Sequence, residues 1–293
     1  MKVLLTGITG FVGQNLMPMI LNECPEVELL TLNININEAE EKYPNSEYLN
    51  CQHIMTTDLN KVVEFNPEIV IHLATLTTSR NDTDIIKPIL AANIEFGVLL
   101  LDTLQRCSAL KLFVNTGSFA EYRFGTSKIN DAYLYTATKS AFRNFVEYYS
   151  TLNGYKYITA VPYSIYGGKM TEKRLIDYIR ESMDSKEPVD MTAGEQILDF
   201  THVNDVAGFF IYILKNKERF YSLQNGDEFH LGTGIGITIR DLAVLIEQKY
   251  GKMCNINWGG RPYRDRDTMH AVAPIAKNLE IGWRAKISLK EGI

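Results

Sequence analysis

The sequence has few of the features that mark disulfide-rich, secreted or membrane-spanning proteins. Its 293 residues include only four cysteines, which are far apart and form no CxxC pair: Cys24, Cys51, Cys107 and Cys254. This scarcity argues against a zinc site, so we expect no metal, and it favours a reducing compartment. The apolar N-terminal stretch is interrupted by glycines and no other long apolar run follows. We therefore expect a cytoplasmic protein without a secretion signal or membrane segment.

The sequence also lacks an excess of positive charge. Its 30 lysines and arginines are dispersed among 35 acidic residues, which gives a formal net charge of −5. We therefore expect neither nucleic acid nor an anionic membrane as a partner. We expect a small molecule instead. With 45% hydrophobic residues and no repeat or linker, the chain suits one large domain or two interlocked ones.

A glycine-rich turn follows the first hydrophobic segment. The run KVLLTG is typical of a buried parallel strand, and glycines recur at Gly7, Gly10 and Gly13 before a segment with helical apolar spacing. Such a strand–turn–helix unit favours dinucleotide binding, although glycines also occur in ordinary turns. Gly7 would permit the tight turn, Gly10 would let backbone N–H groups approach a pyrophosphate, and Gly13 would allow close helix packing. The remaining turn residues expected at the cofactor are Thr9, Phe11 and Val12.

Later strand ends supply further cofactor candidates. The second strand ends at Asn33, where dinucleotide sites often carry an acid for the adenosine ribose. An asparagine there neither repels nor holds a 2′-phosphate, so NADH and NADPH both remain open as the cofactor. Asp58, followed by Leu59, would contact the adenine edge or cap a helix. The fourth strand places Leu73, Ala74 and Thr75 beside the cofactor, and we interpret His72 as a packed core histidine.

The segment AYLYTATKSAFRNF contains a tyrosine and a lysine four residues apart. On a helix Tyr135 and Lys139 would lie on one face, where the ammonium group could stabilise the phenolate and aid proton transfer. An exposed tyrosine and a solvated lysine are the simpler alternative, but this is the only YxxxK in the chain. Alternating strand and helix patterns predict an α/β fold with a doubly wound parallel sheet of the Rossmann type.

A series of motifs resembles the extended short-chain dehydrogenase/reductase family, in its nucleotide-sugar (epimerase/dehydratase) branch. The motifs, in order, are TGITGFVG, IVIHLAT, NTGSFAEY, YTATK, PYSIYGG, LDFTHVNDVA, FHLGTGIGITIRDLA and LEIGWRAKISLKEGI. Within that branch, AGEQILDFTHVNDV is most similar to the CDP- and dTDP-sugar 4-ketoreductases of the CDP-abequose synthase type. The likeness extends over essentially the whole chain.

The resemblance implies an oxidoreductase with a catalytic set of Ser118, Tyr135 and Lys139, with Thr116 as a competitor for the serine's place. It also implies cofactor contacts by Asn93 and Pro162. The implied substrate contacts are Thr75, Ser118, Phe119, Tyr166, Arg174 and Arg264. The cofactor domain would comprise residues 1–162 and 195–235, and a smaller, discontinuous substrate lobe would comprise 163–194 and 236–293. The resemblance further implies a homodimer formed by the helix around residues 88–106 and the Tyr135 helix.

Departures from the family pattern reduce the number of candidate reactions. Family dehydratases carry Asp-Glu after the hydroxyl residue, whereas this chain has Phe119-Ala120, which cannot move protons. Leu198 replaces an arginine that contacts the diphosphate in many relatives, so Arg264, with Arg261 and Arg266 nearby, would take that role unless the segment is a solvated loop. We predict NAD(P)H-dependent reduction of the C4 ketone of a nucleotide-linked 4-keto-6-deoxyhexose, in deoxysugar or polysaccharide biosynthesis. The alternatives are an NAD-dependent nucleotide-sugar 4-epimerase and a non-catalytic dinucleotide-binding regulator.

Overall fold

The computed structural model describes residues 1–44, 50–169 and 173–293. The chain forms two compact units. Unit 1 comprises Met1–Ser118, Tyr133–Val161 and Ala207–Phe229, and unit 2 comprises Phe119–Ala132, Pro162–Val206 and His230–Ile293. The segment expected to form part of the substrate lobe, residues 163–194, includes 170–172, which lie outside the described residues.

The described strands are β1 Lys2–Thr6, β2 Glu28–Asn33, β3 Cys51–Met55, β4 Ile69–His72, β5 Leu112–Thr116, β6 Lys156–Pro162, β7 Ser164–Tyr166, β8 Val189–Met191, β9 Ile197–His202, β10 Asp227–Leu231, β11 Gly236–Thr238, β12 Ile256–Trp258 and β13 His270–Ala271. The described α-helices are α1 Phe11–Glu23, α2 Ile36–Lys42, α3 Leu59–Phe65, α4 Thr83–Leu90, α5 Phe96–Leu104, α6 Leu134–Asn153, α7 Leu175–Ser182, α8 Val203–Lys215, α9 Lys217–Tyr221, α10 Ile239–Tyr250, α11 Ala276–Glu280 and α12 Leu289–Gly292. A π-helical segment, Ala91–Glu95, joins α4 to α5, and a 3₁₀ turn spans Phe119–Glu121.

The central sheet has seven strands in the order β10-β6-β5-β4-β1-β2-β3. Strands β1 to β6 pair in parallel with their neighbours. Their short aliphatic runs suit a sheet covered on both faces, and β4 is buried along its whole length. The strand order reverses direction between β1 and β4, which is where doubly wound folds bind ligands at the carboxyl ends of the strands. The predicted doubly wound fold is confirmed.

One hydrophobic cluster packs helices α3, α5 and α6 onto a face of this sheet. Its fully buried members include Val70 and Phe113 from the sheet and Leu100 and Phe142 from the helices. Gly97 of α5 lets Phe142 of α6 approach, since a Cβ atom there would lie 2.4 Å from the phenyl ring. This close packing fixes α6, which carries the YxxxK pair, against its neighbour.

Unit 2 is built around β9, which pairs with β11, β13 and β7. A second, two-stranded sheet joins β8 to β12. Residues 119–132, 195–206 and 230–235 belong to unit 2, although the sequence assigned them to the cofactor domain. The predicted cofactor domain and substrate lobe were defined by the ligand that each would bind, and this assignment stays a prediction. In the described part of the chain, no helix is both long and apolar enough to span a membrane.

Candidate functional site

The three glycines of the first turn have different steric surroundings. Gly7 has a φ of +76°, and a Cβ atom there would lie 2.7 Å from the backbone nitrogen of Ala74. A Cβ atom on Gly13 would lie 2.1 Å from the carbonyl oxygen of Gly7. Among the described residues, the neighbour of such a Cβ atom at Gly10 within 4 Å is that same oxygen, at 3.3 Å. Gly7 and Gly13 are therefore required for backbone packing, whereas Gly10 borders open space.

That open space lies at the N-terminus of α1. Gly10 is the N-cap residue, and within residues 1–44, 50–169 and 173–293 no side-chain hydrogen bond caps this helix end. Backbone N–H groups at the start of a 13-residue helix and a glycine without a side chain in front of them suit a pyrophosphate. The predicted residues Thr9, Phe11 and Val12 are half-buried in the same turn. The turn thus fits a dinucleotide cofactor.

The end of β4 is joined to this turn by buried hydrogen bonds. Thr6 Oγ1, at the end of β1, accepts a hydrogen bond of 3.0 Å from the backbone N–H of Ala74. The same hydroxyl lies 3.0 Å from Nδ1 of His72. The predicted cofactor residues Leu73, Ala74 and Thr75 therefore lie beside Gly7, as expected from the sequence.

His72 lies in the core of unit 1 among the rings of Phe96, Phe113 and Phe142, with centroid separations of 5.3 to 5.9 Å. Burial, with a smaller contribution from the charge of Lys139, lowers the pKa of His72 to about 3. The imidazole is therefore neutral at physiological pH. This placement agrees with the interpretation of His72 as a core histidine.

Tyr135 and Lys139 lie in the first two turns of α6. The helix start is fixed locally, because Thr136 Oγ1 donates to the Tyr133 carbonyl at 2.9 Å and accepts from the Tyr133 N–H at 3.1 Å. Lys139 Nζ lies 6.0 Å from the centroid of the Tyr135 ring. Lys139 is only 4% exposed, whereas Tyr135 is half-buried. The structure thus places a buried cation beside the Tyr135 ring, as the spacing of the pair predicts.

Ser118 lies two residues beyond β5 and is half-buried, so all three predicted catalytic residues belong to unit 1. Thr116, the alternative hydroxyl, is the last residue of β5. Its Oγ1 is shielded from solvent and has no hydrogen-bond partner in the described part of the chain. The half-buried position of Ser118 suits contact with a substrate better than the shielded hydroxyl of Thr116 does.

The Asn93 side chain is occupied by hydrogen bonds within unit 1, one of them to α6. Its Oδ1 accepts from the Thr75 hydroxyl at 3.1 Å and from the Leu76 N–H at 2.7 Å. Its Nδ2 donates to the Leu76 carbonyl at 3.2 Å and to Thr138 Oγ1 at 2.9 Å. Thr138 Oγ1 in turn donates to the Tyr135 carbonyl at 2.6 Å. The geometry therefore favours a positioning role over the cofactor contact predicted for Asn93.

Thr138 was missed by the sequence reasoning, although it stands inside the YTATK motif. Asn93 lies in the π-helical segment, a geometry often found at functional sites. The link joins the loop after β4 to the helix turn between Tyr135 and Lys139.

Asn33 and Asp58 end up at the adjacent strand ends. Asn33 is the last residue of β2 and is 5% exposed. Asp58 is the N-cap residue of α3, directly before Leu59, and it pairs with Lys61 at 3.2 Å. Asp58 stands at the cap position, but its carboxylate makes no capping hydrogen bond in the described part of the chain, and the adenine contact stays a prediction.

The remaining predicted residues belong to unit 2, where their surroundings differ. Phe119 stacks on Tyr163 at 5.7 Å, and Pro162 ends β6. Tyr166 is 2% exposed and donates to the Ser288 carbonyl at 3.4 Å. Burial raises the pKa of its phenol well above the ordinary value. This interior position does not support the substrate contact predicted for Tyr166.

The arginines of unit 2 occupy helix-end and loop positions. Arg174 is the N-cap residue of α7. Arg264 lies in an exposed loop, where its N–H donates to Asp267 at 3.2 Å. Arg266 is held by the Asp131 carbonyl, at 3.0 and 2.7 Å, and by Asn130 Oδ1 at 3.2 Å. Of the neighbours suggested for Arg264, Arg266 therefore has a local structural role, and Arg261 is exposed.

The family model described as "NAD dependent epimerase/dehydratase family" matches residues 3–231. The chain belongs to this family. That membership confirms the predicted extended short-chain dehydrogenase/reductase resemblance and the nicotinamide dinucleotide cofactor.

Individual proteins resemble the chain over nearly its full length. A CDP-abequose synthase from Yersinia pseudotuberculosis is 25% identical over 293 residues, which cover 100% of this chain and 98% of that protein. A CDP-abequose synthase from Salmonella typhimurium is 27% identical, with coverage of 99% and 95%. The crystal structure of the Thermus thermophilus UDP-glucose 4-epimerase with NAD superposes with a TM-score of 0.80 at 22% identity, covering 100% and 96%. This last likeness supports the fold.

Proposed function

We propose that the protein is a 4-ketoreductase that uses a reduced nicotinamide dinucleotide to reduce the C4 ketone of a nucleotide-linked 4-keto-6-deoxyhexose, in deoxysugar or polysaccharide biosynthesis. The observation that carries this proposal is the full-length similarity to CDP-abequose synthases of two species. A similarity that spans both units covers the substrate-binding part as well as the cofactor-binding part. The preserved catalytic set argues against a non-catalytic regulator.

The residues of unit 1 supply the acid–base part of this reaction. When bound, the reduced nicotinamide supplies the hydride for C4. Tyr135 donates its phenolic proton to the C4 oxygen as negative charge develops there. Lys139, buried beside the ring, stabilises the resulting phenolate and holds the nicotinamide ribose. Ser118 donates a hydrogen bond to the same substrate oxygen.

The residues that follow Ser118 support reduction over dehydration. Phe119 stacks on an aromatic neighbour and Ala120 is 4% exposed. Neither side chain carries a group that could remove or deliver a proton, which an elimination of water from the sugar requires. Arg264, exposed in its loop, is the residue that we assign to the substrate diphosphate.

The decisive experiment measures cofactor stoichiometry. The protein is incubated with CDP-, dTDP- or UDP-linked 4-keto-6-deoxyhexoses and with NADH or NADPH, and the reduced-nicotinamide absorbance is followed. A reductase oxidises one cofactor for each sugar and yields a single C4 epimer, detectable by NMR. Unchanged absorbance with every such sugar would contradict the proposal.

A nucleotide-sugar 4-epimerase is the second candidate. It is favoured by the family model, whose description names NAD-dependent epimerases. An epimerase would carry tightly bound NAD and would interconvert two 4-hydroxy nucleotide sugars at constant absorbance. Incubation with the 4-hydroxy sugars alone, followed by NMR, therefore separates the two candidates.

We also propose that the protein is a homodimer joined through α5 and α6. Both helices expose large apolar side chains, which a dimer contact would remove from water. These are Leu99, Phe145, Tyr148 and Leu152, which are 38 to 61% exposed. Light scattering during gel filtration tests the mass, and a Leu152→Glu variant should elute as a monomer. A monomeric wild-type protein would contradict this assembly.

A further inference from the structure

A groove in unit 2 is lined by residues outside the predicted catalytic, cofactor and substrate contacts. Its volume is about 690 Å³, which is within the range of small-molecule sites. The lining residues come from three segments, 232–233, 275–279 and 284–286, which all belong to unit 2. Most of them lie in the motifs FHLGTGIGITIRDLA and LEIGWRAKISLKEGI, to which the proposed reaction gives no role.

One wall of the groove is the loop after β10, which buried contacts hold in place. The carboxylate of Asp199 accepts the N–H of Thr233 at 3.0 Å and the N–H of Gly234 at 2.8 Å. A Cβ atom on Gly234 would lie 3.0 Å from Cδ1 of Ile275, so the loop packs directly on that side chain. This wall is therefore fixed without a ligand.

Another wall is the segment 283–287, which is anchored at both ends. The N–H of Trp283 donates to the Asn278 carbonyl at 2.9 Å, and the indole is buried. The N–H of Ile287 donates to Asp205 Oδ2 at 2.8 Å. Between these anchors lie residues 284–286, all of which line the groove. The backbone that carries Arg284 and Lys286 is thus held in one place.

Helix α11 supplies the rest of the lining. Asn278 is 1% exposed, and its Nδ2 donates to the His230 carbonyl at 2.7 Å. The next residue, Leu279, is 51% exposed, and Ile275 is half-buried. The groove therefore combines a well-fixed framework with an apolar surface that is open to solvent.

The charge of the groove is positive. Arg284 and Lys286 are exposed, and neither forms an ion pair within the described residues. The described lining contains no acidic residue. The carboxylates that hold its walls, Asp199 and Asp205, are buried and accept backbone N–H groups. Two cations therefore face the groove without an acid to neutralise them.

A phosphate monoester matches this pair of cations. A guanidinium group binds phosphate oxygens through two parallel hydrogen bonds, and an ammonium group adds a compact positive charge. The two side chains stand two residues apart on one anchored segment, so a single dianionic group can meet both. The apolar side chains of Ile275 and Leu279 suit the carbon part of such a ligand.

We propose that this groove binds a small organic phosphate, with the phosphate at Arg284 and Lys286 and its apolar part against Ile275 and Leu279. The site goes beyond the proposed function, because it uses none of the residues assigned to the catalytic set, the cofactor or the sugar nucleotide.

A fluorescence titration tests the proposal with 1-naphthyl phosphate as the probe. The cofactor site is first filled with NAD⁺, and the anisotropy of the probe is followed. We expect saturable binding that excess inorganic phosphate and added salt both weaken. The uncharged analogue 1-naphthol should bind at least about tenfold more weakly, because it lacks the charge-assisted hydrogen bonds.

Three substitutions locate the bound probe. Arg284→Gln and Lys286→Gln each remove one positive charge from the groove, and each should raise the dissociation constant by about tenfold. Lys290→Gln is the matched control, because it removes the same charge from an exposed lysine that does not line the groove. It should leave the dissociation constant unchanged. Circular dichroism and the melting temperature establish that the variants are folded.

The outcomes are independent of the proposed reaction, since no turnover is measured. The phosphate site is overturned if the wild type shows no saturable binding at millimolar probe, or if 1-naphthol binds as tightly as its phosphate. Folded Arg284→Gln and Lys286→Gln proteins that bind the probe like Lys290→Gln overturn it as well. A protein that binds the probe as expected but reduces no 4-keto sugar keeps this site and loses the reductase assignment.

Discussion

The two units differ in how they hold the residues expected to be functional. In unit 1 these residues lie at the carboxyl end of one parallel sheet, and backbone contacts or short buried hydrogen bonds fix several of them. In unit 2 the expected residues occupy unlike places: Tyr166 is in the interior, whereas Arg264 lies in an exposed loop. In unit 2 the buried carboxylate of Asp199, which the sequence did not single out, accepts several hydrogen bonds.

This difference shows where functional motifs specify position. A glycine turn or a YxxxK pair defines its own geometry through a few neighbouring residues, and the fold merely places it. An arginine that reaches for a diphosphate is defined only by where its loop lies, and a long side chain in a loop has many orientations. The expected cofactor residues of unit 1 are therefore fixed by their neighbours more tightly than Arg264 of unit 2 is.

The largest expected effect is on chemistry in unit 1. Tyr135→Phe should lower turnover by about two to four orders of magnitude, because only the transferable proton is removed. NADH affinity should change little, since the ring remains. Steady-state kinetics with a 4-keto nucleotide sugar, together with a fluorescence titration, measure both quantities.

Tyr178→Phe is the matched control, because Tyr178 is 48% exposed on α7 and belongs neither to the expected site nor to the proposed dimer contact. It should leave turnover unchanged. If Tyr135→Phe retained near-normal turnover, the YxxxK pair would have no part in proton transfer, and the contrast between the units would lose its main support.

The second effect separates two glycines of the same turn. Gly10→Val should weaken NADH binding by about a hundredfold or more while the protein stays folded, because its side chain would enter the space in front of α1. Gly13→Ala should instead destabilise the protein itself, since its Cβ atom would lie 2.1 Å from a backbone oxygen. Calorimetric titration and thermal unfolding distinguish the two.

The sequence assigns these two glycines of one motif different roles, a pyrophosphate contact to Gly10 and close packing to Gly13, and the two variants test that assignment. Gly10→Val that still binds NADH with wild-type affinity would show that the turn serves packing only.

Much of the fold and of the cofactor site was predictable because local patterns carry them. Buried aliphatic runs ending in glycine or small residues predicted the parallel strands, and the glycine spacing predicted the turn. The contact of the Asn33 amide with the Ile54 carbonyl was not predictable, because it forms only after β2 and β3 pair. The positioning role of Asn93 was not predictable for the same reason. Its hydrogen-bond partners come from segments about 17 and 45 residues away along the chain.

The smallest expected effect tests whether unit 2 can be weakened without touching the cofactor site. Asp199 is fully buried, and its Oδ1 accepts from the Thr233 N–H at 3.0 Å and the Thr233 hydroxyl at 2.6 Å. Its Oδ2 accepts from the N–H groups of Gly234 at 2.8 Å and Ala273 at 3.2 Å. The carboxylate therefore joins the loop after β10 to the segment after β13.

Asp199→Asn replaces one acceptor oxygen with an NH₂ group that faces donors. The free energy of unfolding should fall by about 2 kcal/mol, the cost of leaving buried polar groups unpaired. Asp190→Asn is the control, because Asp190 is exposed and should change stability by less than about 0.5 kcal/mol. Urea unfolding measures both variants.

NADH affinity should stay at the wild-type value in Asp199→Asn, because the residues assigned to the adenosine and pyrophosphate belong to unit 1. A folded Asp199→Asn protein that binds NADH several-fold more weakly would show that cofactor binding depends on unit 2 as well as on unit 1.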